Sequence, residues 1–434
     1  MEQETLYSSK EPLPKRYGWW LPSLHFTGGL PYVIVFLVSL VFYNRMGESN
    51  GAITLSTSSF FIPFILRPVL GRFVSSFSTK RFWVLTMELA LGLCMMGIAK
   101  SLTSSSWFLL SMLLLFFTAS AAVIHDVAIS RFYKLVVPRQ HTVYAGSNIV
   151  FMFLSIVFGL GIPIMVAGNL EVLNRRVTTS WITTFNLLAL AFFVLFVYHL
   201  IMLPRPTDKP SMRVGSGLTR RWWNETKNSF MQLPYSLSIL FFLLLFLIPE
   251  GMFFRIAPLF LIDPESNGGL SLSPQELALA QGSVGAFAVI WGCILGIKAI
   301  HKWGLKRCIW WMVCAITFPK MLYIYLSYNF VSTLSVINVV VFVEQFCFGF
   351  GVMAYIYLLF HLSIGKYSTF RLSLVTAVTA FSLMASGWFT GILQEYVGYR
   401  HFFVIVSVAN ILPFVVTAII HIDKKTGKTM GQIN

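Results

Sequence analysis

Twelve apolar runs, each long enough to cross a bilayer, divide this 434-residue chain almost from end to end. They span 24–44, 52–70, 82–99, 106–130, 144–168, 180–203, 236–262, 275–298, 307–328, 332–362, 371–393 and 401–421. About twenty apolar residues in helical form match the hydrocarbon core of a membrane. Within lipid every backbone N–H and C=O must be satisfied inside the segment, so such runs are expected to be helices. The chain is 56% apolar and only 11% charged, against about 25% charged for a soluble domain. The expected fold class is therefore an all-α polytopic membrane protein, with no long polar stretch to build a separate soluble domain.

The placement of Lys and Arg sets the expected topology. If the N-terminus lies inside, twenty-five of the thirty-two basic residues fall on inner segments, five on outer segments and two, Arg255 and Lys320, within runs. That asymmetry follows the positive-inside rule and puts both termini in the cytoplasm. It also absorbs most of the net charge of +16, which otherwise invites a nucleic-acid reading; the charge faces anionic lipid instead. Met1 to Arg16 is too charged for a signal peptide and has no small-residue cleavage site after a short apolar core. The longest polar break, 204–235, splits the runs into six and six. Its stretch Leu218–Met231 (LTRRWWNETKNSFM) joins Arg220 and Arg221 to Trp222, Trp223 and Phe230, which fits either a helix on the inner leaflet or a solvated linker.

The two halves echo each other. Gly71–Trp83 (GRFVSSFSTKRFW) follows the second run, and Gly296–Trp310 (GIKAIHKWGLKRCIW) follows the eighth. Each is a short basic turn with Gly near its start and Lys-Arg before the next run. Twelve transmembrane helices in two six-helix repeats joined by a longer inner loop describe the major facilitator architecture. The expected division is an N-terminal bundle over 1–203, a cytoplasmic linker over 204–235, and a C-terminal bundle with tail over 236–434.

The charges singled out within the runs are Asp126, Glu250, Arg255, Lys320 and Glu344. An ionised side chain in hydrocarbon is costly, so each is expected to face a partner or a wet cavity. Glu344 lies about twelve residues into its run, ~18 Å deep at 1.5 Å per residue and so near the midplane. It fits a proton-titrating carboxylate, a substrate ligand or a structural ion pair. Asp126 has Arg131 five residues on, and Glu250 has Arg255 at the same spacing; either pair could be structural or could face a solute. Pro249 and Gly251 flank Glu250, which predicts an interrupted helix. Lys320 beside Pro319 fits structural pairing or a solute contact. Trp19, Trp20, Trp107 and Trp181 stand at run ends as expected interfacial anchors, while Trp291 and Trp388 fit lipid or core packing within the runs or stacking on a sugar ring.

Other chemistry finds little support. Cys94, Cys293, Cys308, Cys314 and Cys347 all lie in apolar runs, form no CxxC and are expected to be packing residues. His125, His199 and His361 lie within runs, but there is no HxxxH or HExxH, so neither a metal nor a cofactor is expected. No GxSxG or Walker sequence points to catalysis.

Several stretches carry a family resemblance. Glu344 opens EQFCFGFGVMAYIYLLF; Thr369–Ser373 and Ser386–Phe403 (SGWFTGILQEYVGYRHFF) follow; Gly29-Leu30-Pro31, His125-Asp126-Val127-Ala128, Glu250 and Leu270-Ser271 add to them. Together they resemble the AmpG muropeptide permease branch of the major facilitator superfamily, over most of the chain. Gly71 and Ser130 stand where that family has acids, beside Arg72 and Arg131, and His301-Lys302 replaces an acid–base pair; acids are lost and bases kept around the expected inner gate. The resemblance implies a secondary transporter of the bacterial inner membrane that takes up a sugar-containing solute such as a muropeptide. The buried acids add the expectation of proton coupling, with Glu344 and Asp126 as proton-titrating or ligand groups and Arg255 and Lys320 meeting anionic parts of the solute. Partners are then a small solute, protons and membrane lipid, with the chain as a monomer. An exporter, a carrier of another small metabolite, a non-transporting sensor on the same fold and an enzyme using His125 or His361 remain as alternatives.

Overall fold

Helix is the regular structure of this chain, as the apolar runs require. The structure of the protein, a computed structural model, describes residues 17–136, 143–206, 236–363, 368–422 and 426. The expected interfacial stretch Leu218–Met231 and most of the linker lie outside the described residues. In order, the helices are α1 (Trp20–Arg45), α2 (Asn50–Ile65, bent by 49° into Arg67–Val74), α3 (Lys80–Ser101), α4 (Trp107–Val136), α5 (Val143–Asn174), α6 (Val177–Met202), α7 (Ser236–Ile262), α8 (Pro274–Trp303), α9 (Leu305–Asn329), α10 (Leu334–Leu362), α11 (Ser368–Ala409) and α12 (Ile411–Ile419). Ten helices among the described residues are long and apolar enough to cross a membrane, or eleven with the bent α2. The chain is a multi-pass membrane protein.

The tenth of these spanning units joins α11 to α12 over 50 residues. A straight helix of that length would reach ~75 Å, more than twice the hydrocarbon thickness of ~30 Å. It does not run straight. Gly398 breaks it at φ 74°, ψ 165°, a conformation open to glycine and strained for other residues. Before the break, Ser382 donates to the Leu244 carbonyl and Gln394 accepts from Asn50. After it, the rings of Tyr399 (tilted) and Phe403 (edge-on) pack against Phe260, and Phe403 also reaches Phe253. The helical path is therefore broken at Gly398, between the expected runs 371–393 and 401–421.

Large apolar side chains face outward all round the molecule, including Phe117, Leu190, Trp311 and Phe389. A helix apolar on every face suits a lipid surrounding. The core lies between helices. α3 packs against α4 and α6; α8 and α9 pack against α10; α7 packs against α11. The two sets meet where α2 packs on α11 and α5 packs on α8. Two of the expected interfacial tryptophans are instead buried: Trp20 is 2% exposed and Trp181 is fully enclosed. The Trp181 indole N–H donates to Glu171 at 3.1 Å, so a polar partner inside the bundle replaces the headgroup layer. All five cysteines are free.

Candidate functional site

A cavity of about 280 Å³ lies between α1, α5, α7, α8 and α10. Its wall is mostly apolar: Val33, Phe36 and Leu37 from α1, Ile156 and Leu160 from α5, Phe253, Phe254 and Pro258 from α7, Val289 from α8 and Phe348 from α10. Five polar side chains enter it: Tyr32, Glu250, Gln281, Glu344 and Gln345. A concave apolar site with a few converging polar groups is the usual form of a small-molecule pocket.

Irregular backbone positions several of these groups. α7 loosens into a turn at Phe246–Leu247 and restarts at Ile248, with Pro249 in its first turn. Glu250 thus sits at a helix start, where unpaired amide N–H groups favour a carboxylate. The interruption expected around Pro249-Glu250-Gly251 is present, just ahead of Glu250. In α9 the residues Phe318–Lys320 tighten into a 3₁₀ turn around Pro319, and Lys320 leaves the helix there. Two π-helical segments add further distortion: Ile34–Val38 in α1 and Ala278–Gly285 in α8. The second carries Gln281 into the cavity. Such π segments recur at functional sites.

The structure brings together three of the five expected charges. Lys320 Nζ lies 2.6 Å from Glu250 Oε2, with both side chains buried. Glu344, 3% exposed, shares the cavity with Glu250 and accepts a hydrogen bond from Gln345 Nε2 at 2.9 Å. Among the described residues no cation stands at ion-pair distance from Glu344. Two acids and one lysine therefore meet at the centre of the bundle.

The expected five-residue pairs do not form. Residues five apart on a helix are ~140° apart around its axis, so they face different neighbours. Arg255 turns away from Glu250: its Nη1 donates to the Gly251 carbonyl at 2.7 Å and its Nη2 to the Leu383 carbonyl at 3.0 Å. The guanidinium lies 5.3 Å from the ring centre of Phe61 on α2 and presses against Gly387, where a Cβ would come within 2.3 Å of Cζ. Arg255 is thus wedged between α2, α7 and α11 and is not part of the cavity wall. Asp126 likewise bypasses Arg131 and pairs with Arg67 on α2 at 2.5 Å.

Sequence reasoning passed over Glu88. It lies inside the run 82–99 and is fully buried, with His199 Nδ1 at 2.7 Å and His125 Nε2 at 3.3 Å from Oε1. His199 Nε2 also bonds to Ser23 at 2.9 Å. The signal was available, since an acid in an apolar run and two histidines in other runs have reason to meet. No group of His, Cys, Asp and Glu among the described residues could hold a metal ion.

Comparison with known proteins places this geometry. No family model matches the chain. A Rickettsia bellii protein named "Putative transporter AmpG 2" is 22% identical over 254 residues, which is 57% of this chain and 58% of that protein. The match thus spans under two thirds of the relative's length. Among solved structures, a D-xylose–proton symporter superposes with TM-score 0.68 at 14% identity, covering 95% of this chain and 98% of the other. The nucleoside transporter NupG gives 0.66 at 12% identity, covering 93% of this chain and 99% of that one. These similar proteins are named as transporters and not as enzymes. The fold of this chain is that of the major facilitator transporters, and in sequence it resembles the AmpG proteins among them.

Proposed function

We propose that this chain is a secondary active transporter that couples uptake of a sugar-containing solute, such as a muropeptide, to proton entry across the bacterial inner membrane. The carrying observation is the central cavity, whose wall carries two carboxylates, Glu250 and Glu344, the first of them paired with Lys320 behind it. Glu250 is balanced by Lys320. Glu344 has no such partner at ion-pair distance among the described residues, and a carboxylate without a paired cation facing a solute cavity is the arrangement a proton carrier needs. Tyr32, Gln281 and Gln345 offer donors and acceptors for hydroxyl groups, and Phe253, Phe254 and Phe348 offer apolar faces for a sugar ring. At about 280 Å³ the cavity is just under the ~300–1,000 Å³ of small-molecule pockets. In this conformation it suits one ring-sized part of a solute, with a larger one requiring the halves to part. Asp126 acts through its pair with Arg67, Lys320 meets an anionic solute group when it leaves Glu250, and Arg255 holds α2 against α7 and α11.

The full architecture belongs to the same reading: twelve crossings in two six-helix halves, 1–203 and 236–434, joined by 204–235, with both termini cytoplasmic and the chain acting as a monomer. Uptake into proteoliposomes under an imposed pH gradient tests it. The native chain concentrates the solute along the gradient, and Glu344→Gln still equilibrates the solute but no longer responds to the gradient. An unchanged gradient response in Glu344→Gln removes the proton role. Solute binding without any flux replaces the transporter by a sensor on the same fold.

A further inference from the structure

A second cavity, of about 410 Å³, has Arg67 of the Arg67–Asp126 pair in its wall. It opens between α2 and α4 on one side and α10 and α11 on the other, at the end of the bundle where basic residues gather. Arg67, Arg131 and Lys134 line it, with hydroxyls from Ser130, Ser363 and Ser373. Its charges do not balance. Arg67 is taken up by Asp126 at 2.5 Å. Arg131 has its Nη1 buried and without a hydrogen-bond partner, and no carboxylate lies at ion-pair distance from it among the described residues. Lys134 is exposed one turn further along α4. Gly71 makes room for the Arg131 guanidinium, since a Cβ there would stand 3.2 Å from Nη2. A buried guanidinium N–H with no acceptor is costly, and an anion is its natural complement.

We propose that this cavity is a binding site for a phosphate group. Two uncompensated cations match a dianion better than a single carboxylate, and the planar fork of Arg131 suits two phosphate oxygens at once. Exposed Ser130 can donate to a third oxygen, and the site joins the two halves of the molecule through whatever it holds. The phosphate could belong to a soluble organic anion or to a lipid headgroup. The site does not depend on the transporter reading, because binding alone defines it.

The test uses the full chain in nanodiscs of neutral phosphatidylcholine. Inorganic phosphate, titrated against chloride at equal ionic strength, should raise the melting temperature saturably. Arg131→Gln should weaken the phosphate affinity by roughly tenfold or more, Lys134→Gln should weaken it less, and Arg131→Lys should keep most of it. A second arm replaces part of the lipid with phosphatidylglycerol. If the headgroup is the occupant, that lipid stabilises the native chain and not Arg131→Gln, and free phosphate adds nothing further. Equal responses of native and Arg131→Gln protein to both phosphate and phosphatidylglycerol overturn the site. Should Arg131→Gln fail to fold, Lys134→Gln at its exposed position decides: an unchanged response to both probes overturns it equally.

Discussion

Lys320 shows most directly what a buried charge does in this chain. It reaches from a 3₁₀ turn in α9 to Glu250 at 2.6 Å, and both side chains are buried. Removing one member of such a pair strands the other as an uncompensated buried charge, at about 3–5 kcal/mol. Lys320→Ala should therefore destabilise the purified protein strongly in thermal melts. Glu250→Gln combined with Lys320→Met should recover most of that loss, because an apolar pair costs less than a single stranded ion. A double variant no more stable than Lys320→Ala would show that the ion pair does not set the energetics of this region. The pairing itself was not legible in the sequence. Pro319 marks the turn that frees Lys320, but nothing in the order of residues says that α9 turns this group inward to Glu250. The expected Glu250–Arg255 pair came from proximity along the chain, and helical geometry separates the two faces.

At the scale of elements, close backbone contact sets how the helices pack. Gly292 on α8 lies against α10 so tightly that a Cβ would meet the Phe346 carbonyl oxygen at 2.1 Å. In reverse, a Cβ at Gly349 on α10 would meet the Val289 carbonyl oxygen at 2.3 Å. Small residues at such crossings let backbones approach, which is a main source of helix association in lipid. Gly292→Ala should force the two helices apart and cost about 1–3 kcal/mol, read as a lower melting temperature. Gly97→Ala on α3 meets only the tip of Leu114, at 3.3 Å, and serves as the comparison. It should be near neutral, the small gain in helix propensity offsetting a slight shift of Leu114. Equal losses at both positions would mean that helix packing at Gly292 has no special role. The helices themselves were legible, because a bilayer-length apolar run has few alternatives in lipid. The π segments Ile34–Val38 and Ala278–Gly285 were not, since one extra residue in a turn leaves no mark on composition. Gly398 was visible only as part of a resembling stretch; its positive φ and the kink it makes are properties of the folded chain.

Across the whole molecule the two ends differ. At the end away from the basic cavity, a polar lock joins the two sets of helices. Asp263, after α7, accepts from Asn44 on α1, from Asn50 on α2 at 3.0 Å and from the Tyr399 hydroxyl on α11. Asn50 also donates to Gln394 and Tyr399, both at 2.8 Å, and the Gly51 amide donates to Glu395 at 2.7 Å. The Arg45–Glu171 pair at 2.6 Å closes the same end between α1 and α5. The basic end has instead an open cavity edged by exposed Ser130, Lys134 and Phe360. On the transporter reading proposed above, one closed end and one open end are a single state in a rocking of two halves about the central site. Asp263 then becomes the group that holds this state. A hydrogen bond to a charged group contributes about 1.5–3 kcal/mol, enough to shift a two-state balance by roughly 10–100-fold. Asp263→Ala should accordingly move the population toward opening at the locked end. Spin labels at Ser49→Cys and Ser266→Cys, both exposed on opposite sides of the lock, report this directly once the five native cysteines are replaced. The inter-label distances should gain a longer component in Asp263→Ala that is minor in the parent. Identical distributions would place the closing force elsewhere, with Arg255 between α2, α7 and α11 the next group to change.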